Sequence, residues 1–452
     1  MKDLTTGSIT RHLLQTTSFM LVAMVFQTLY VLVDLYWVGR LGKEAVAAVG
    51  VAGNLTFIVL AVSQMLGVGT TTLVSHAVGR KDRDLSLLLF NQSQVLSVVT
   101  GAVFLVVAMW LRVPYAQSLS ADTETAALAA DYLLWFIPAM ALQFGMVAMG
   151  SALRGTGNFK PGMIVQSATV VINIILAPFL IFGWFTGIRL GVGGAALSTF
   201  VAVVVGIVWI STYFLKPSDF LHFVPSDWRP KLPMWGRLLK VGLPAGAEFA
   251  LMAAYLFIVY AVSRPFGAAA QAGFGIGMRI VQAGFLPVVA LGFAVAPVAG
   301  QNFGARQASR VRQTFVSAAT LAGSVMLLFA LICHMAPAAM IRFFSSDPQV
   351  VGVGEEYLRI VSWNFIASGI IFVGSSMFQA LGNTIPPLVT SVLRLVLIGV
   401  PILWLVHQPG FALRWIWYLS VLSVTLQLIT NLLLLHREFR LRLRFDTPAP
   451  AV

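Results

Sequence analysis

The sequence predicts an all-α membrane protein, with twelve transmembrane helices in two six-helix bundles. Three observations carry that reading. The chain is 58% hydrophobic and only 10% charged, apolar runs of bilayer length recur along all of it, and landmarks of its first half return at a constant offset in its second.

A soluble globular domain carries about 25% charged residues, so water is not the main solvent of this fold. A helix needs about 20 apolar residues to cross the hydrocarbon core. Such runs lie near 13–38, 46–75, 88–111, 129–152, 162–183, 191–214, 240–263, 272–299, 313–335, 354–378, 387–406 and 413–435. The longest polar connection has only linker length, so no soluble domain is expected and any chemistry should lie inside the membrane. The first run is too long for a cleavable signal, and no small-residue cleavage site precedes the second, so it is expected to stay as the first helix. The lone Cys333 excludes an intramolecular disulfide and a cysteine metal cluster, and reads as a packing residue.

A formal net charge of +13 invites a nucleic-acid reading, but the distribution of charge argues against it. With both termini placed in the cytoplasm, the inner segments hold 19 lysines and arginines and the outer segments 7. This is the positive-inside asymmetry, and it sets the orientation. The expected location is a bacterial inner membrane, crossed many times by a monomer whose partners are lipid and a small-molecule substrate, with no nucleic acid.

The repeat offset is 225 residues. Gly42 maps to Gly267, Gly50 to Gly275, Gly79 to Gly304, Asp122 to Asp347, Tyr132 to Tyr357, Gly157-Asn158 to Gly382-Asn383, and Pro161 to Pro386. The offset spans six helices, an even number, so both halves cross the membrane in the same sense, and the expected binding cleft lies between them. The organisation that follows is an amino-terminal lobe over 1–215, a cytoplasmic linker over 216–239 containing Pro217, Pro225, Pro230 and Pro233, a carboxyl-terminal lobe over 240–436, and a cytoplasmic tail over 437–452.

Glycine runs such as Gly273-Phe274-Gly275-Ile276-Gly277 have no strand before them and read as close helix packing rather than a nucleotide loop. No Gly-x-x-x-x-Gly-Lys-Ser/Thr motif occurs, which leaves ion-driven or passive transport. His76 and His334 have no second histidine at ligand spacing, so neither a metal nor any other cofactor is expected. No Asp or His pair at catalytic spacing appears, which argues against an enzyme.

Several motifs in order resemble the multidrug and toxic compound extrusion (MATE) family over essentially the whole chain. Gln27 and Tyr30 precede Asp34, and Val38-Gly39-Arg40-Leu41-Gly42 follows; Leu153-Arg154-Gly155-Thr156-Gly157 comes after the fourth span; Gly242-Leu243-Pro244 opens the seventh; Gly300-Gln301-Asn302-Phe303-Gly304-Ala305 closes the eighth. The resemblance implies a V-shaped pair of six-helix bundles working by alternating access, in which an inward ion gradient drives export of amphipathic, often cationic, aromatic compounds. The family's fifth helix commonly has an Asn followed four residues later by Asp-Pro; here the stretch is Asn173-Ile174-Ile175-Leu176-Ala177-Pro178. Ala177 replaces the acid, and Gly150 stands where some relatives have Asn. These departures resemble the DinF-like branch, where one carboxylate in the first helix can suffice.

Asp34 is the leading coupling residue, because an ionised carboxylate in hydrocarbon is costly and usually marks an ion path. Tyr30, one turn earlier on the same face, is placed to hydrogen-bond it. The resemblance adds Asn173 to the cation-coupling set and Tyr132 to the cavity, with Gln27, Ser198 and Thr199 as further polar groups. In the second half, Glu248 lies one turn before Met252, where coupled relatives place a glutamate, and is a cavity candidate or a structural ion-pair partner. Arg394 is a membrane-embedded cation that should line the cavity or pair with Glu248, Glu355 or Glu356. The expected function is antiport, with the proton favoured over sodium as the driving ion. The alternative is a lipid-linked oligosaccharide flippase of the same superfamily, often with fourteen spans and a strongly cationic cavity.

Overall fold

The computed structural model describes residues 2–184, 187, 189–216 and 220–445. Pro217 of the linker and residues 446–452 of the tail fall outside the described residues. The described chain is helical. The first half contains α1 (Ile9–Gly39), α2 (Lys43–Gly79), α3 (Arg83–Leu119), α4 (Thr123–Gly155), α5 (Lys160–Phe182) and α6 (Gly191–Thr212). The second contains α7 (Leu232–Ser263), α8 (Ala268–Gly304), α9 (Ala308–Met335), α10 (Pro337–Arg342), α11 (Pro348–Val361), α12 (Phe365–Ala380), α13 (Ile385–Leu405) and α14 (Arg414–Arg442). Twelve stretches are long and apolar enough to cross a membrane, as the sequence predicts. The short α10 is not one of them, and α11 with α12 forms a single span, Pro348–Ala380, interrupted by a 3₁₀ turn at Ser362–Asn364.

The duplication is visible in the backbone. Both α2 and α8 have 37 residues, and each follows a glycine with positive φ, 118° at Gly42 and 88° at Gly267. Lys81 and Arg306, also 225 apart, are the non-glycine residues with positive φ among those described, at 60° and 58°. Each closes a helix in the same way: Asp82 N donates to Ala77 O at 3.0 Å, and Gln307 N to Asn302 O at 2.9 Å. These six-to-one bonds satisfy carbonyls that a helix end leaves free. Asp122 and Asp347 cap α4 and α11, accepting from Thr125 N at 2.7 Å and Gln349 N at 2.8 Å. The bond from the Thr125 backbone holds the Asp122 carboxyl below the usual carboxylate range.

The chain folds into two compact units. One comprises Met1–Asp3 and Ser18–Gly246, the other Leu4–Thr17 and Ala247–Val452. In the second unit the amino-terminal segment is anchored by side chains at the end of α8. Leu4 N donates to Gln301 Oε1 at 3.0 Å, Asn302 Nδ2 donates to Leu4 O at 3.1 Å, and Leu4 is fully buried. In the first unit, the segment after residue 220 has little ladder of its own and takes its partners from two adjacent amides of α3. Asn91 Oδ1 accepts from Val224 N and Trp228 Nε1, both at 3.0 Å, while Gln92 Nε2 donates to Asp227 O and Arg229 O and Gln92 Oε1 accepts from Lys231 N.

Helix α7 starts at Leu232, inside the stretch read from sequence as linker. Pro233 fits its first turn, where the missing N–H has no helical partner to lose. The early turns of α7 pack closely on α2: a Cβ at Gly242 would collide with the Met65 carbonyl oxygen, whereas one at Gly236 would meet nothing within 4 Å. Gly242→Ala is therefore expected to destabilise the protein by about 1–3 kcal/mol through overpacking, and Gly236→Ala to leave it unchanged or slightly more stable. Thermal unfolding of the two variants in detergent checks this, and equal midpoints would contradict the close contact.

Candidate functional site

The first unit gathers most of the coupling residues expected from sequence. On α1, Val31, Leu32, Leu35 and Tyr36 are exposed, while Asp34 is 8% exposed and Val38 fully buried. The spacing of Tyr30, Asp34 and Val38 places them in one row of the helix, turned into the unit. Asn173 comes from α5, and Ser198 and Thr199 from α6; all three are buried.

These polar groups converge on Thr199. Asn173 Nδ2 donates to Thr199 Oγ1 at 3.0 Å and to Ser198 Oγ at 3.2 Å, and the Tyr30 hydroxyl lies 3.1 Å from Thr199 Oγ1. Thr199 has one hydroxyl proton, which reaches the Ala195 carbonyl at 3.3 Å, and Ser198 donates to the same carbonyl at 2.7 Å. With Thr199 donating to Ala195, the Tyr30 hydroxyl donates to Thr199. Sequence reasoning put the Tyr30 hydroxyl on Asp34; the structure places it on α6, because a tyrosine reaches past its own helix to the nearest acceptor on a neighbour. Asp34 Oδ1 is buried with no hydrogen-bond partner among the described residues.

Tyr132 is buried on α4, with its ring 5.3 Å from that of Phe136. Gln27 is exposed on α1 and outside the network. Ala177 is fully buried and adds no side-chain oxygen; at Gly150 there is open space where a side chain would begin. Chemically, the cluster holds one carboxylate that is free to take up a proton or a ligand cation, beside a hydroxyl–amide network that is already satisfied.

The second unit has its own polar seam between α7 and α13. Glu248 Oε1 accepts from Ser375 Oγ on α12 at 3.2 Å and from Ser391 Oγ on α13 at 3.3 Å. The guanidinium of Arg394 lies over the Tyr255 ring, 5.0 Å from its centroid, and its Nε is buried without a partner. Of the carboxylates that sequence offered to Arg394, Glu355 pairs with Arg359 at 2.9 Å and Glu356 with Arg414 at 3.5 Å. No ion pair joins Arg394 to Glu248 among the described residues. Sequence reasoning missed Ser375, Ser391 and Tyr255. Tyr255 had a signal, lying seven residues after Glu248 on the same face of α7. Arg279 is exposed, His334 bonds Ser362 at 3.1 Å, and no group of three or more potential metal ligands occurs among the described residues.

Residues 20–179 and 244–405 match the family model described as MatE. The chain is 27% identical over 368 residues to the multidrug export protein MepA of Staphylococcus haemolyticus (strain JCSC1435), covering 80% of each chain. It is 25% identical over 421 residues to the probable multidrug resistance protein YoeA of Bacillus subtilis (strain 168), covering 91% of this chain and 90% of the relative. Among solved structures, it is similar to a multidrug resistance MATE family transporter of the MOP superfamily in an outward-facing conformation. The TM-score is 0.88 at 24% identity, over 97% of this chain and 98% of that one. At that identity the likeness concerns the fold.

Proposed function

Because this chain belongs to the MatE family, the multidrug and toxic compound extrusion transporters, we propose that it is a secondary-active antiporter exporting amphipathic aromatic or cationic compounds in exchange for an inward-moving proton. It is a multi-pass membrane transporter, not an enzyme. The observation that carries the proposal is Asp34: a buried carboxylate on a membrane helix whose Oδ1 has no partner, beside a network that needs nothing from it. A buried acid of that kind is costly unless it is neutralised or paired. Protonation from outside would neutralise it and weaken its hold on a bound organic cation; proton release inside would restore the charge. Exchange then follows from competition for one group, provided two conformations open it to opposite sides of the membrane. Both termini lie in the cytoplasm of a bacterial inner membrane in this reading, which is supported by the 19 to 7 distribution of basic residues.

The export reading stands above the flippase because the charged side chain beside the first-unit network is an acid, Asp34, rather than a cation, and because the curated relatives named above are multidrug proteins. Inverted membrane vesicles containing the protein are expected to accumulate the cationic dye rhodamine 123 several-fold over vesicles lacking it when energised, and to lose it when ion gradients are dissipated. Uptake equal to that of vesicles lacking the protein would overturn the proposal.

A further inference from the structure

We propose that Arg394 is the residue of the second unit that recognises a carboxylate on the exported molecule. This rests on the export reading and assigns a specificity-determining residue to it. Helix α13 has 21 residues, and Arg394 lies about 14 Å from its start at 1.5 Å per residue, close to the middle of the span. A guanidinium at that depth needs a partner, since water is scarce and the charge cannot be given up. Among the described residues of this unit it has none that is charged. Glu355 and Glu356 are paired elsewhere, Glu248 holds two serine hydroxyls, and the Arg394 Nε is buried with no acceptor.

The surroundings define what would complete it. The contacts of Glu248 with Ser391, of Tyr255 with Arg394 and of Ile258 with Gly399 follow one another along α7 and α13, so the two helices run side by side in the same direction. Glu248 and Tyr255 are two turns apart on one face, about 10 Å along the helix. The seam thus presents a carboxylate at the level of Ser391 and, further along both helices, a guanidinium set against an aromatic ring. Tyr255 holds the guanidinium from one side and leaves its planar fork of N–H donors for a second ligand. A carboxylate matches that fork in two parallel hydrogen bonds. A flat molecule with an amine at one end and a carboxylate at the other would set its amine toward Glu248 and its acid on Arg394. An ester in place of the acid would lose the second contact only.

Rhodamine 110, which carries a free carboxylate, and its methyl ester rhodamine 123 differ in this one group. Their binding to the purified full-length protein in detergent, read by fluorescence anisotropy, tests the assignment. Arg394→Gln is expected to weaken rhodamine 110 about tenfold or more, as befits a lost charge-assisted bond, while rhodamine 123 changes less than about twofold. Arg394→Lys, which keeps the charge without the fork, should retain part of the binding of the acid. Equal losses for both dyes, or none for the acid, would overturn the inference. If the glutamine variant does not fold, wild type decides: binding of the acid at least as tight as that of the ester supports the assignment. Binding of the ester with rejection of the acid sinks it and leaves the export reading standing. Failure to bind either dye removes both.

Discussion

Asp34→Asn is expected to reduce energised dye uptake to the level of vesicles lacking the protein, at unchanged expression and with dye binding retained within a few-fold. The amide occupies the volume of the carboxyl and keeps one carbonyl oxygen, so the packing around the buried side chain is preserved. What it loses is the ability to alternate between a charged and a neutral form. In the first unit nothing else in the cluster can take over. Tyr30, Asn173, Ser198 and Thr199 are joined to one another through Thr199, and Ala177 and Gly150 offer no oxygen. The substitution also turns a buried carboxylate with an unpartnered oxygen into a neutral amide, so thermal stability should stay level or rise, because an unpaired buried charge costs the fold more than an unpaired neutral group. A folded, dye-binding variant that moves nothing uphill separates coupling from structure. Undiminished uptake would show that Asp34 serves only to hold α1 in place.

Much of this arrangement is legible in the residue order, and the part that is not has a common cause. The twelve spans follow from composition alone, because lipid demands long apolar helices whatever their partners. The 225-residue register announces the backbone: the glycine before α2 returns before α8, and the aspartate capping α4 returns on α11. Asp34 stands out because an acid in an apolar run has few uses. Side-chain partners are another matter. The bond from Tyr30 to Thr199 joins residues 169 apart in the chain, and no local spacing encodes it. The serines on Glu248 come from α12 and α13, 127 and 143 residues away. Arg394 has an aromatic ring where sequence supplied a list of acids, since proximity in the fold, not opposite charge, selected its neighbour. The extra turns of α7 were hidden by prolines that read as linker, although a proline in a first turn is compatible with a helix.

Proton coupling makes a separate demand that can be measured without any mutation. In sealed proteoliposomes, an imposed proton gradient is expected to drive rhodamine 123 against its concentration gradient, and an imposed sodium gradient with the proton gradient collapsed is expected to drive none above background. The argument rests on ligand number. Sodium is a hard cation that needs several oxygens converging from different directions. In the first unit Asp34 is the one carboxylate of the cluster, and the oxygens nearest in kind are committed: Thr199 and Ser198 receive protons from Asn173 and give their own to Ala195, and Tyr30 gives its proton to Thr199. Gathering them around an ion would break that network at about 1 kcal/mol per bond. A proton asks for one carboxylate oxygen, and Asp34 Oδ1 is unengaged. In the second unit Glu248 has two serine hydroxyls on the same oxygen, both pointing protons at it rather than lone pairs away from it. That orientation satisfies a carboxylate and disfavours a cation beside those hydroxyls unless they turn. Uphill movement of the dye under sodium alone would mean that they do turn, and would place the driving ion at Glu248 instead of a proton at Asp34.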